Sequence, residues 1–331
     1  MREQVRNLWK ISFGDSDDFI RLWFDRVYKD EQTLVVQQNG KIVSALQILP
    51  YEMTYCGTNI PTGYICGVCT LPSERGKGYM NQLMHQSIKE MQNCGYALAV
   101  LIPATPGLFD FYRRFEFANI FDYAIEVVQS REIQKTSFSH QSKRSLAANK
   151  AWRETIRNIE LRRIVSYKNL SLEMIYDYYH TKQCERDCAV IHTAYQFETI
   201  CRDRILGGCE IWVALANKQP VGLAFTDQIK DKTLLIREIV YDNTDIKNII
   251  VQSILNHHQL YSAKLHTPPT LSNSVPYGMA RIIDKEQFIN LYRSYHSNNP
   301  LFDLNNMNIP SLTQLFLNYE RRQAYMNLML D

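Results

Sequence analysis

A basic turn with two glycines, Arg75-Gly-Lys-Gly78, stands between an apolar run that reads as a strand and a run with helical periodicity. Glycine there lets the backbone take positive φ and approach a ligand closely. The N–H groups at the helix start converge on one point and carry partial positive charge. Arg75 and Lys77 add full charges, so the turn suits a diphosphate. A plain tight turn with solvated basic residues is the competing reading of the turn alone. The Gly-Lys-Ser/Thr ending of a Walker loop is missing, and the strands before the turn read as an antiparallel meander, which excludes a Rossmann fingerprint.

The elements around the turn follow from periodicity. Asp15 to Asp18 start a helix whose face carries Phe19, Trp23 and Val27. The strands "TLVVQQ" and "KIVSALQILPYEMTY" are joined at Asn39-Gly40, a type I′ hairpin signal. "YICGVCTL" is a third strand. After the turn come the helix "MNQLMHQSIKEMQNC", stopped by Gly95, the strand "YALAVLI", the helix "LFDFYRRF" and the strand "YAIEVVQ". These make a first unit over 1–131. Residues 132–160 are polar and basic and read as a linker. Over 161–268 the order repeats: helices, three strands, then the helix "DIKNIIVQSILNHH". At the equivalent turn, Tyr241 to Ile246, neither glycine nor a basic residue is present. The rest, 269–331, holds the strand "YGMARIID", a helix, and the run "SLTQLFLNYERRQAYMNLML", apolar at helical spacing.

With 331 residues, 45% of them apolar and 21% charged, the chain can bury a sizeable core. A formal charge of +3 gives no argument for a nucleic-acid or membrane partner. No apolar run approaches the ~20 residues of a membrane span, and the start has no signal-peptide core, so a cytoplasmic protein is expected. The eight cysteines form no disulfide framework. Cys66 and Cys69, three apart on a strand, should point to opposite faces and so should not share a metal. His180, Cys184 and Cys188 line one face of a helix, but its ends are ~12 Å apart, too far for one ion. No metal is expected.

"VCTLPSERGKGYMNQLM" followed by "YALAVLIPATPGLFDFYRRFEF" resembles the GNAT (GCN5-related) N-acetyltransferases. Their motif Arg/Gln-x-x-Gly-x-Gly/Ala reads here Arg75-x-x-Gly78-x-Met80, with Met80 in place of a small residue. Their later Tyr-x-x-x-Gly-Phe/Tyr reads Tyr112-Arg-Arg-Phe-Glu116-Phe117, with Glu116 in place of glycine. The whole plan is similar to the enhanced-intracellular-survival (Eis) branch. That resemblance implies an α+β fold, mixed and mainly antiparallel: tandem GNAT-like domains, the second degenerate, and a shortened sterol-carrier-like segment over 269–331.

It also implies acetyl transfer from acetyl-CoA to a small amine or lysine-type acceptor, and assembly of several copies. Val68, Cys69 and Thr70 would pair with the pantetheine arm. Arg75, Gly76, Lys77, Gly78, Tyr79 and Met80 would hold the diphosphate. The Val68 N–H would polarise the acetyl carbonyl, and Tyr112 would protonate the departing thiolate. For the base, the residues offer Glu52, Asp25, a water chain or the C-terminal carboxylate of Asp331. A GNAT-shaped binding or scaffold protein without turnover is the alternative.

Overall fold

The computed structural model describes residues 1–130, 159–166, 172–229, 232–295 and 304–330. The expected linker over 132–160 lies almost wholly outside the described residues, as does Asp331.

The chain begins with a helix the sequence reading did not anticipate, α1 (Arg2–Phe13). It buries Val5, Leu8 and Trp9 and stops at Gly14, which is left-handed at φ 70°. In α2 (Asp17–Arg26), Ser16 caps the start by accepting from the Phe19 N–H, and Ile20, Trp23 and Phe24 are buried. The strands β1 (Thr33–Gln38), β2 (Lys41–Tyr55) and β3 (Thr58–Thr70) form an antiparallel meander. Then follow α3 (Tyr79–Asn93), β4 (Leu98–Leu101), parallel to β3, α4 (Pro106–Arg113) and β5 (Ala118–Gln129).

The second half holds β6 (Ile159–Ile164), α5 (Leu172–Cys184), β7 (Val190–Ile191) and α6 (Ala194–Leu206). A second meander follows in β8 (Ile211–Ala216), β9 (Gln219–Thr226) and β10 (Leu234–Tyr241). Then come α7 (Thr244–His257), β11 (Ser262–Thr267), parallel to β10, β12 (Val275–Ile282), α8 (Lys285–Tyr295) and α9 (Ile309–Phe316). Meander, helix and parallel strand thus occur twice, as an α+β, tandem GNAT-like plan requires.

The two halves share one sheet, ordered β1-β2-β3-β4-β12-β5-β11-β10-β9-β8-β6, with β7 on β2. Strand β5 belongs to both: residues 118–123 pair with β12, and residues 124–129 pair with β11. The segment 269–331 is therefore not laid out as a body of its own. Its strand β12 is hydrogen-bonded between β4 and β5 of the first half.

Its last residues also depart from the expected helix. After α9, Asn318 and Arg322 take positive φ, which ends helical geometry. Residues 324–330 then run buried between the halves. There Tyr325 donates its N–H to the Cys188 carbonyl and accepts from the Val190 N–H, both at 2.9 Å. Apolar spacing alone did not distinguish a buried extended tail from a helix.

Candidate active site

The parallel pairing of β3 and β4 runs only from Thr62↔Leu98 to Ile65↔Leu101. Beyond that point β3 continues to Thr70 paired with β2 alone, so its other edge offers free main-chain donors and acceptors. A cleft of about 770 Å³ occupies the split. Here β3 carries a bulge, with Gly67 and Val68 both opposite Leu46. Gly67 is left-handed at φ 58°, and an added Cβ would lie 2.6 Å from Trp9 Cζ3. Only glycine fits there.

The bulge also corrects one expectation. It adds a residue to the strand and resets the alternation, so Cys66 and Cys69 both enter the core beneath α1 and α2, while Val68 packs toward α3 and α4. Both are free thiols whose pKa burial raises, that of Cys69 to about 12.

At the open end of the cleft, Gly76 and Gly78 are left-handed, at φ 82° and 83°, with nothing within 4 Å of an added Cβ. Gly78 is the N-cap of α3, and no side chain caps that helix start. Its first N–H groups are left facing the cleft with the helix dipole behind them. Arg75 reaches back to the Thr70 carbonyl (3.3 Å), and Lys77 pairs with Glu74 (2.8 Å).

Tyr112 stands near the end of α4 and is 4% exposed. Its ring meets Phe111 edge-on at 5.1 Å. Burial, with a smaller contribution from the Cys66 thiol, pushes its pKa up to about 12. The turn after it keeps the geometry a glycine would give: Glu116 takes φ 61° and pairs with Arg281 at 2.9 Å.

Tyr112, Val68, Cys69, Thr70, Arg75, Gly76, Lys77, Gly78, Tyr79 and Met80 all line this cleft. Ser12 and Phe13 from the unforeseen α1 line it too, as do Thr105, Leu108, Phe111 and Arg114. Of the nominated bases, Asp25 and Glu52 do not, and Asp331 lies outside the described residues. Asp25 is exposed and bonded to Arg2 (2.9 Å), and Glu52 accepts from the Asn59 amide (3.0 Å) far up the β2–β3 ladder. Among the described residues lining the cleft, Glu74 is the one carboxylate.

The second half repeats the split and the bulge but fills them. β10 and β11 pair only to Ile236↔Leu265, and Arg237 is a bulge against β9. The Arg237 carbonyl accepts from Asn327 Nδ2 (2.8 Å), and Tyr325 donates to the buried Glu238. The chain's own tail thus enters this split. At the helix start, the Asn243 side chain accepts from the Asp245 and Ile246 N–H groups, so the amides that would meet an anion are taken.

Cys188 is not on the helix with His180 and Cys184: α5 ends at Cys184, and Cys188 lies in a turn with φ 59°. Among the described residues, Glu210, His257 and His258 come close enough together to hold an ion. Glu210 already accepts from Arg163 (2.6 Å), Trp212 (2.8 Å) and His258 (3.0 Å). Despite its burial, those bonds hold its pKa down at about 2, the mark of a structural ion pair. No helix among the described residues is long and apolar enough to cross a membrane.

Residues 2–120 match the family described as Acetyltransferase (GNAT) domain. Among solved structures, the chain is similar to a GCN5-related N-acetyltransferase from Anabaena variabilis ATCC 29413. That match has a TM-score of 0.64 and 17% identity and covers 85% of this chain and 70% of that one. It is similar as well to a conserved protein from Enterococcus faecalis V583 described as a probable N-acyltransferase, with TM-score 0.63, 16% identity and coverage of 85% and 70%. Eis1 from Mycobacterium abscessus matches with TM-score 0.62, 11% identity and coverage of 87% and 72%. At such identities the likeness shows the fold. A search of curated protein sequences returned no significant match. Residues 2–120 thus match a GNAT acetyltransferase domain, and the chain around them is similar in fold to GNAT-related structures.

Proposed function

We propose that the first half transfers an acetyl group from acetyl-CoA to a primary amine by direct attack in a ternary complex. The observation that carries this reading is a convergence in one cleft. An open strand edge, a bulge, an uncapped helix start and a buried phenol meet where β3 parts from β4.

The residues present fit the co-substrate. Val68 to Thr70 offer main-chain groups to an amide-bearing arm. The N–H groups from Arg75 to Met80 hold the diphosphate, helped by Arg75 and Lys77. The Val68 N–H, turned by the Gly67 bulge, stabilises the oxyanion as the amine adds to the thioester carbonyl. Tyr112 donates its hydroxyl to the departing sulfur. A phenol raised to about 12 is a weaker acid than a thiol near ~8.5, so the proton moves to sulfur only as the phenol oxygen receives the one that the amine nitrogen sheds on becoming an amide, which leaves a thiol, an amide and a neutral Tyr112. The amine is the nucleophile and forms the amide bond as the carbon–sulfur bond breaks, so no covalent enzyme intermediate is needed. Most of the acceleration comes from positioning. The acceptor is a small amine or lysine-type group.

The test is acetyl-CoA calorimetry followed by thiol release with a panel of amines. Binding with turnover that falls in Tyr112→Phe supports the proposal. Binding without turnover, and no effect of Tyr112→Phe, would assign the chain to the alternative of a binding protein on this fold.

A further inference from the structure

The protons of the acetyl transfer set a limit on the amine. A neutral amine and a thioester give an amide and a thiol with no proton left over: the nitrogen sheds one and the sulfur takes one up. Tyr112 alone can pass that proton. An ammonium ion brings one proton more, and a base must remove it before the nitrogen has a lone pair to attack with.

Among the described residues, the cleft offers no group suited to that task. Its one carboxylate, Glu74, stands directly before Arg75 at the turn and is paired with Lys77 at 2.8 Å. No histidine is among its described lining residues. Cys69 lines the cleft, but its pKa of about 12 keeps it a thiol, and Tyr112 is kept a phenol in the same way. Leu330, the last described residue, lines a different cavity together with Leu49, Pro50, Tyr51 and Glu52. Those four pair with Tyr64, Gly63, Thr62 and Pro61. Even Tyr64 is roughly 13 Å before Val68 along the strand.

The reacting end is also walled by neutral groups. The Tyr112 ring lies by Cys66, just past the point where β3 and β4 part at Ile65 and Leu101. Val68, Leu108 and Phe111 pack in the same apolar cluster and line the cleft. Phe13 adds a ring face, held on Trp9 at 4.7 Å. The charge carried by α4 on this wall is a cation, Arg114, whose guanidinium lies over the Phe111 ring at 4.6 Å. An ammonium ion entering between such walls gives up its water without gaining a counter-charge. A neutral amine does not incur that cost.

We propose that the acceptor is an amine already substantially neutral at physiological pH, namely the α-amino group of an amino-acid amide or peptide, and that strongly basic ε-amines are poor acceptors. The proposal rests on the acetyl transfer inferred above and narrows its acceptor. Two isomers of acetylated lysinamide test it, because they differ only in which nitrogen is free. Nε-acetyl-lysinamide has a free α-amine, pKa about 7.8, and Nα-acetyl-lysinamide a free ε-amine, pKa about 10.4. At pH 7.5 about a third of the first is neutral, against about 0.1% of the second. Once neutral, the ε-amine is the stronger nucleophile, which returns part of that ratio. Thiol release by the full chain, with the spontaneous rate subtracted, should give a kcat/KM at pH 7.5 at least about tenfold higher for the α-amine. From pH 7.5 to 9.5 it should rise about threefold for the α-amine and about 90-fold for the ε-amine, each following its own neutral fraction. Equal rates at pH 7.5 overturn the proposal. So does an ε-amine profile that levels off below pH 8, the mark of a base supplied by the chain, Asp331 included. Transfer to strongly basic amines but to neither isomer overturns it too. All three outcomes leave the acetyl transfer standing. Acetyl-CoA calorimetry, run first, separates the other case: no binding, or binding with no transfer to any amine, is a failure of the transfer itself and takes this proposal with it.

Discussion

At Gly67 a single residue sets both the strand geometry and the cleft. Its left-handed backbone and its contact with Trp9 leave no room for a side chain. Gly67→Ala should therefore cost about 2–4 kcal/mol, from backbone strain and overpacking together. Urea unfolding would measure it, and acetyl-CoA affinity should fall in the same variant. Tyr112→Phe is the contrasting change, because it removes an oxygen and keeps the ring packing. Turnover should drop on the order of 10²-fold while acetyl-CoA affinity holds, as loss of proton donation alone predicts. Because the Tyr112 pKa is raised to about 12, the phenol stays protonated through neutral pH, and its ionisation should not limit the rate below about pH 10. The glycines and cations of residues 75–78 were legible because a turn that meets an anion needs those residue types. The bulge was not, because strict alternation was assumed across Gly67, and an isolated glycine inside a strand pattern was the available signal. Glu116 shows the same limit: it takes the backbone conformation of the glycine it replaces, which residue type alone does not announce.

Among the elements, periodicity located most helices and strands but not where they dock. The β2 bounds, Lys41–Tyr55, follow directly from the Asn39-Gly40 hairpin and the pattern after it. Helix α1 has a weak signature, because its apolar set, Val5, Leu8 and Trp9, is short and flanked by charges. Even so, its end supplies Ser12 and Phe13 to the cleft. The two-residue strand β7 gives the clearest prediction at this scale, since it leads into His192. Burial lowers the His192 pKa to about 4, against about 6.5 in an unfolded chain. Below pH 6.5 the unfolded state binds a proton that the folded state refuses, so stability is full above 6.5 and falls as pH drops toward 4. The loss from this residue should reach about 2 kcal/mol by pH 5. His266, stacked on Tyr123 at 4.0 Å, is lowered to about 4 by burial as well and adds in the same direction. Glu210, held at about 2 against an ordinary 4.5, loses its contribution as pH falls from about 4.5 toward 2, and Glu238, raised by burial, acts in the opposite direction to the histidines, so the difference between the unaltered chain and His192→Phe over pH 7.5 to 5 is what isolates His192. Urea midpoints should fall over that interval, and fall less in His192→Phe. An unchanged midpoint would mean that the ring is protonated in the folded state.

For the molecule as a whole, the repeat decides how many cofactors one chain can hold. The two halves share a plan, but strand β12 completes the first sheet, β5 serves both, and the tail enters the second split. None of this could be read from the order of elements, because pairing across more than a hundred residues leaves no local signature. Sequence did carry one part of the difference, the missing glycines and cations between Tyr241 and Ile246. The structure adds that Asn243 caps α7 and that Asn327 takes the Arg237 carbonyl. Calorimetry should accordingly give one acetyl-CoA per chain. Glu238, whose pKa burial raises, is held by Tyr325, by Asn327 (2.8 Å) and by the nearby Arg186. Asn327→Leu would leave the Arg237 carbonyl and the Glu238 carboxylate each short of a donor, at a cost of about 2–3 kcal/mol. Because the tail remains covalently attached and its neighbours Leu328, Met329 and Leu330 remain apolar and buried, this variant should still bind one equivalent. A second equivalent of acetyl-CoA in the unaltered chain would mean that the tail yields its place, and that the second half has kept a working cofactor cleft despite its acidic turn.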